Sequence, residues 1–409
     1  MKYEFQRFIR EKYNGKSIYT IPELIDGFDA NLSTTCDGME PMSFWTSEIP
    51  MGNYEIRIRI RALEDINELY LFTGRKLLKD IITLKKDEVY EKKFYQAVSE
   101  IIPRYHSCVY KENYLFCSIC TQNPEAVKVE DCAAERCLEI KTVYLCGDST
   151  VTDQSCEIPY HPGACYSSWG QAISAYLEGN YVVQNQAHCG LTTESFRTEG
   201  HFDIILNHIV PGDFCLFQFG HNDQKLLYLK ANGGYIRNLE AFICQIREKG
   251  GIPILITPLG RNIWKNAEEY YDLLEEYAEA VKQIACKKEV LCIDLHDASV
   301  KFICKCGQKG AQDYFHPADY THTNEYGAYL AAGYIARNLA EQFPAVFSIR
   351  KEMPEFSPQQ ELWESLKGIN NRKSDQTEKE SFDRMEKSVA DLVQTIEKVR
   401  CSKEEEDGN

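Results

Sequence analysis

The sequence predicts an α/β protein in three parts: a β-sandwich over residues 1–140, an α/β domain on a parallel sheet over 141–345, and a charged helical tail over 346–409. Three observations carry this. Up to about residue 140, short β-rich runs sit between turn signals, and Tyr54, Ile56, Ile58 and Ile60 alternate with polar residues as in a half-buried antiparallel strand. From Glu139 onward, short apolar runs alternate with helical stretches, the pattern of βαβ units. After Pro344 the chain becomes charged and rich in Gln, Glu and Lys.

The sandwich strands are read at Ser17-Ile-Tyr-Thr-Ile21, Asn53–Ile60, Glu68–Phe72 and Asn113–Ile119. Five parallel strands are read at Val143–Leu145, Tyr181–Gln184, Phe214–Phe219, Ile252–Thr257 and Val290–Ile293. Helical stretches fall at Trp169–Leu177, Tyr235–Glu248 and Ala267–Ala285, with a last helix at Glu325–Phe343. In the tail, Phe382, Met385, Val389, Leu392, Ile396 and Val399 recur at alternating spacings of three and four, a seam that needs a partner. Self-association into a homo-oligomer and docking on the protein's own body both satisfy it.

A net charge of −16 without a Lys/Arg block argues against nucleic-acid binding, because phosphate neutralisation needs clustered cations. No run is long and apolar enough to span a bilayer, and the first ten residues lack the apolar stretch of a signal peptide, so a soluble cytoplasmic protein without a membrane partner is expected. The 17 cysteines lie largely in apparent strands, as small buried hydrophobes of a reducing compartment do. Cys117/Cys120 and Cys304/Cys306 lack a second half-site at zinc spacing, so no metal is expected.

Chemistry concentrates where parallel strands should end. Gly147-Asp-Ser149 follows the first strand, where the carboxyl ends of an open parallel sheet form the ligand crevice. A serine there is a nucleophile candidate, and an N-cap role fits the tripeptide equally. Asp319-Tyr-Thr-His322 precedes the last helix; His322 can accept the serine proton while Asp319 holds the imidazole tautomer, although a capping Asp beside a surface His fits too. Asn185-Gln-Ala-His-Cys-Gly190 and Gln218-Phe-Gly-His-Asn-Asp223 end at the same edge. The Gly190 N–H and the Asn222 amide suit an oxyanion hole.

In this order, Gly147-Asp-Ser149, Gly190, Gly220-His-Asn-Asp223 and Asp319-x-x-His322 resemble the four blocks of the SGNH hydrolase superfamily. Gly147-Asp-Ser-Thr-Val-Thr-Asp-Gln154, Trp169-Gly-Gln171, Phe196-x-x-Glu-Gly200, Pro211-Gly-Asp213, Phe219-Gly-His-Asn-Asp-Gln-Lys225, Thr257-Pro258 and Asp319-Tyr-Thr-His322 resemble the rhamnogalacturonan acetylesterase family over roughly residues 141 to 340. The resemblance implies a flavodoxin-like three-layer α/β/α domain and hydrolysis of O-acetyl esters on pectic oligosaccharides without metal or organic cofactor. It assigns Ser149 as nucleophile, His322 as base, Asp319 as its orienting acid, and Ser149 N–H, Gly190 N–H and Asn222 as the oxyanion hole. The amino-terminal half is similar to the galactose-binding-like β-sandwich of some relatives, on Gly27-Phe-Asp29 and Pro50-x-Gly-Asn-Tyr54.

Many relatives carry Gly-Arg-Ser-x-Arg-Ser-Phe where this chain has Gly190-Leu-Thr-Thr-Glu-Ser-Phe196, so Leu191 and Glu194 replace two arginines. An acidic backbone sugar then fits less well unless Arg197, Lys225 or Arg261 compensates; these three and His188 are the candidate substrate contacts, each also readable as an ordinary surface or lining group. His221 is read as shaping its turn, and Trp169 as packing. Two rival functions stand beside the acetylesterase: a lipase-like or thioesterase-like hydrolase of longer acyl esters, and a non-catalytic carbohydrate-binding protein.

Overall fold

The computed structural model describes residues 1–8, 27–29, 38–103, 106–317, 319–349 and 387–400. The strand expected at 17–21 lies outside them.

Strands β1 (Lys2–Glu4), β2 (Gln6–Phe8), β3 (Met42–Trp45), β4 (Gly52–Ala62), β5 (Ile66–Thr73), β6 (Leu77–Leu84), β7 (Val89–Val98), β8 (Phe116–Thr121) and β9 (Val127–Cys137) form the amino-terminal half. They make two antiparallel sheets, ordered β1-β9-β4-β7 and β2-β3-β8-β5-β6. In β4, Tyr54, Ile56, Ile58, Ile60 and Ala62 are all buried and meet Leu69, Leu71, Cys117 and Ile119 of the facing sheet. The period of two puts Arg57, Arg59 and Arg61 on the other face of β4, where Arg59 and Arg61 pair with Glu130 at 3.0 and 2.6 Å.

Five parallel strands follow: β10 (Lys141–Gly147), β11 (Tyr181–Asn185), β12 (Phe214–Gln218), β13 (Ile252–Ile256) and β14 (Leu291–Ile293). Their order is β11-β10-β12-β13-β14, the flavodoxin-like arrangement. Successive residues of β10 feed opposite faces. Val143 and Leu145 pack with α1 (Trp169–Ala172), α5 (Leu295–Gln312) and α6 (Glu325–Gln342). Tyr144 and Cys146 pack with α2 (His201–His208), α3 (Ile236–Glu248) and α4 (Glu275–Lys288). The result is three layers.

Four helices differ from expectation. α1 ends at Ala172, with a 3₁₀ turn over Ile173–Ala175 in place of its last turn, and α2 was not expected. α4 starts at Glu275, because Asn266 accepts the N–H groups of Glu268 and Glu269 and turns a small hairpin, Trp264–Asn266 against Glu269–Tyr270. α5 was not expected; its cysteines and its glycine at the 307 kink, φ +69°, obscure the helical period.

The two halves share a core. Phe28, Met39, Tyr70, Phe72 and Cys120 of the sandwich side pack in one cluster with Tyr160, Trp169 and Tyr326. Phe28–Asp29 pairs in parallel with Cys156–Glu157, and Met39 bridges Tyr160. The tail helix, residues 387–400, lays Val389, Leu392 and Ile396 against Ile263, Leu273, Tyr271 and Tyr320. Of the two uses open to its seam, the described helix makes the intramolecular one; Phe382 and Met385 lie outside the described residues. No described helix is long and apolar enough to cross a membrane.

Candidate active site

Strand β10 ends at Gly147, and the chain turns sharply into Asp148-Ser149. A Cβ on Gly147 would lie 2.4 Å from Val151 Cγ2 and 2.7 Å from the Gln218 carbonyl, so only glycine lets the turn close this tightly. The turn is held from within: the buried Asp148 accepts the N–H and hydroxyl of Thr150 at 2.9 and 2.8 Å, and Gln154 Nε2 donates to the Ser149 carbonyl at 2.7 Å. Burial alone would raise the Asp148 pKa, but adjacent His221 and the two Thr150 donors lower it overall.

Ser149 Oγ lies 2.7 Å from His322 Nε2, and His322 Nδ1 lies 2.7 Å from Asp319 Oδ2. The other oxygen of Asp319 accepts the backbone N–H groups of Thr321 and His322 at 2.6 and 3.1 Å. Burial works to raise the Asp319 pKa; the bond and charge of His322 and the two N–H donors outweigh it and hold the carboxyl at about 2. A permanent carboxylate on Nδ1 fixes the proton there and leaves Nε2 to accept from the serine hydroxyl. The loop is closed by bonds from His316 N–H to the His322 carbonyl at 2.9 Å and from Gln312 Nε2 to the Asp319 carbonyl at 2.9 Å.

Gly190 and Asn222 arrive from β11 and β12. Gly190 has φ +84° with nothing within 4 Å of an added Cβ, so backbone conformation, not packing, calls for glycine. Asn222 Nδ2 gives one hydrogen to the Leu191 carbonyl at 3.0 Å, which orients the amide and leaves the second hydrogen for a ligand. Asp223 ties the two loops by accepting the N–H and hydroxyl of Thr193 at 2.9 and 2.6 Å; burial, stronger than these bonds, pushes its pKa up to about 7.

The expected substrate contacts divide. Arg197 lies 5.0 Å over the rings of Phe202 and Phe242 and donates to Gln245 at 2.6 Å. Because α3 runs back against the strands, Gln245 in its last turns lies toward the edge away from the crevice, so Arg197 is a packing cation and not a crevice cation. Arg261 is buried, donating to the His221 carbonyl at 3.0 Å and to the Thr321 hydroxyl; burial lowers its pKa to about 10. It braces the histidine loop from behind and offers no exposed charge. Lys225 is exposed, with Nζ 2.9 Å from Asn222 Oδ1, and His188 is half-buried beside Gly147, its N–H on that carbonyl at 3.2 Å. These two remain beside the crevice.

His221 shapes its turn: Nε2 bonds the Leu259 carbonyl at 2.9 Å, and Nδ1 lies 3.4 Å from Asp148. Trp169 is buried and donates to Gln218 at 2.8 Å. Sequence reasoning missed Tyr166 and His316, whose rings stack at 3.6 Å, with Tyr166 meeting the His322 ring edge-on at 5.8 Å. Neither belongs to a motif, and only the fold brings them together.

Fold and site define a GDSL-type ester hydrolase: residues 145–330 match the GDSL-like lipase/acylhydrolase family. The probable rhamnogalacturonan acetylesterase YesY of Bacillus subtilis is 33% identical over 219 residues, 51% of this chain and 98% of that protein. Rhamnogalacturonan acetylesterase RhgT of the same organism is 33% identical over 49% of this chain and 89% of its own. The crystal structure of the Bacillus subtilis protein YxiM has a TM-score of 0.47 at 22% identity, covering 75% of this chain and 82% of that one. The chain belongs to the rhamnogalacturonan acetylesterase family of GDSL (SGNH) hydrolases.

Proposed function

We propose that the protein is a serine carbohydrate esterase that removes O-acetyl groups from pectic, rhamnogalacturonan-type or related oligosaccharides through a Ser149-His322-Asp319 triad. The observation that carries this is the continuous chain of two 2.7 Å contacts from Ser149 Oγ through the imidazole to Asp319. His322 Nε2 takes the hydroxyl proton as Ser149 attacks the acetyl carbonyl. The N–H groups of Ser149 and Gly190 and the free hydrogen of Asn222 Nδ2 receive the oxyanion. The imidazolium protonates the departing sugar oxygen, and water, activated by the same nitrogen, releases acetate from Ser149.

The names of the relatives support a pectic substrate. Within that class, the buried Leu191, the exposed Glu194 and the internal placement of Arg197 and Arg261 leave Lys225 as the one cation of the three candidates at the crevice. Within the pectic class this favours a short oligosaccharide with few acidic residues over a run of galacturonates. We divide the chain into a sandwich half at 1–140, a hydrolase half at 141–345 and a tail at 346–409, of which the described helix, residues 387–400, packs on the hydrolase half. A cytoplasmic setting fits the cysteines, all free thiols among the described residues.

Turnover of p-nitrophenyl acetate far above that of the octanoyl ester is expected, together with acetate release from acetylated pectic oligosaccharides in preference to acetylated xylan or simple sugars. Faster octanoyl turnover would put a lipase-like or thioesterase-like enzyme in its place. Asn222→Ala should lower kcat by about 10²–10³-fold with little change in KM, since its free hydrogen meets charge only in the transition state. Full activity in that variant would remove Asn222 from the oxyanion hole.

A further inference from the structure

The β5–β6 hairpin of the sandwich ends in the turn Gly74-Arg75-Lys76, and this turn is driven into the hydrolase half. Lys76 is 1% exposed and has φ +58°, a left-handed backbone seldom adopted outside glycine. Its ammonium donates to the Tyr166 carbonyl at 3.0 Å and lies 3.6 Å from Glu325 Oε1. Glu325 opens α6, three residues after His322, and its other oxygen accepts the Gly163 N–H at 2.9 Å. Lys76 thus joins the segment that carries Tyr166 to the helix that follows the histidine loop. Tyr166 is the aromatic wall that meets the His322 ring edge-on. Ser167 and Thr323 bond reciprocally at 3.1 and 2.7 Å and continue the seam.

Arg75 reaches the other side of the crevice. Its Nε donates to Asp153 at 2.8 Å and its Nη2 to the Asn185 carbonyl at 3.2 Å, while the Arg75 carbonyl accepts from Gln171 at 3.0 Å. Asp153 follows the nucleophile turn and Asn185 begins the loop to Gly190; Asn185 Nδ2 joins them by donating to Asp153 at 2.8 Å. One turn of a domain that contributes no triad residue therefore contacts the nucleophile loop, the oxyanion loop and the framework of the histidine loop.

We propose that the Arg75-Lys76 turn is a positioning element of the active site: the sandwich holds the three catalytic loops in mutual register, and Lys76 does so for His322 by fixing Tyr166. A buried ammonium whose partners all lie on the other half, on a strained backbone, is costly unless that placement is used. The inference rests on the triad reading above and assigns the sandwich a part in turnover, distinct from sugar binding.

The test is kinetics of full-length Lys76→Met on p-nitrophenyl acetate, beside a control in the sandwich core away from the turn, Ile58→Val. Lys76→Met is expected to lower kcat by about 10–100-fold with KM unchanged, the scale of a small misplacement of catalytic groups. Ile58→Val should lower Tm and leave kcat alone. Wild-type kcat in folded Lys76→Met, or an equal fall in Ile58→Val, would overturn the inference. Should Lys76→Met not fold, Tyr166→Leu decides: a similar kcat loss at wild-type Tm supports positioning, and unchanged kcat overturns it. Failure of the triad reading would show differently, as wild-type protein that does not turn over the ester or a Ser149→Ala variant that does.

Discussion

Ser149→Ala is expected to abolish turnover of p-nitrophenyl acetate, with kcat falling on the order of 10⁵–10⁶-fold, the loss seen when a triad nucleophile is removed while binding groups stay. The methyl group retains the tight turn, since Asp148, Thr150 and Gln154 bond to one another and to backbone and make no use of the Ser149 hydroxyl. His322 Nε2 loses its partner but sits on a ring that is 29% exposed and open to water, so the fold should be kept. The check is steady-state kinetics on protein with an unchanged far-UV circular dichroism spectrum. Retention of even a tenth of wild-type kcat would end the assignment of Ser149.

Asp319→Asn is expected to cost about 10³–10⁴-fold in kcat with the geometry intact. The amide NH₂ donates where the carboxylate accepts, which favours the tautomer with the proton on Nε2, the nitrogen that has to receive the serine proton. The substitution also carries a signature in stability. The Asp319 carboxyl is held at about 2, below its ordinary 3.8, so its pairing stabilises the fold above pH 4 and this contribution is lost as pH falls from about 4 to 2. Acid titration of wild type should thus show a loss of stability, up to about 2 kcal/mol, that Asp319→Asn lacks. Equal pH-stability profiles, or a variant with more than a tenth of wild-type kcat, would take Asp319 out of its role.

Much of the candidate site was legible because Ser149, Gly190 and Asn222 follow the ends of short apolar strands with clear boundaries, on loops that a parallel sheet must bring to one side. Asp319 and His322 lie between two helices and were legible from their own spacing before the last helix, and the order of the four segments along the chain identified the family. Strand β4 was readable for a related reason, its strict alternation of apolar residues with arginine. Strands β6, β7 and β9 were not anticipated: β6 buries residues on both faces, and β7 and β9 carry charges that mask their period. Side-chain direction was harder still. Nothing local distinguishes Arg197, spread over two phenylalanines, or Arg261, locked behind the histidine loop, from cations that face a substrate. Lys76 belongs to no motif, and only tertiary structure reveals its burial.

The pairing of Phe28–Asp29 with Cys156–Glu157 and of Met39 with Tyr160 bears on the order in which the molecule is made. A ribosome has to extend the chain well over a hundred residues beyond Phe28 before Cys156 and Tyr160 emerge to cover it and Met39. Until then one flank of the nascent sandwich shows Tyr70, Phe72 and Cys120 to water, and the contacts that cover it are of long sequence separation and slow to form. Synthesis therefore passes through an interval in which the amino-terminal half is folded in outline but unsealed. The segment that closes it, residues 156–160, comes only a few residues after the turn that carries Ser149.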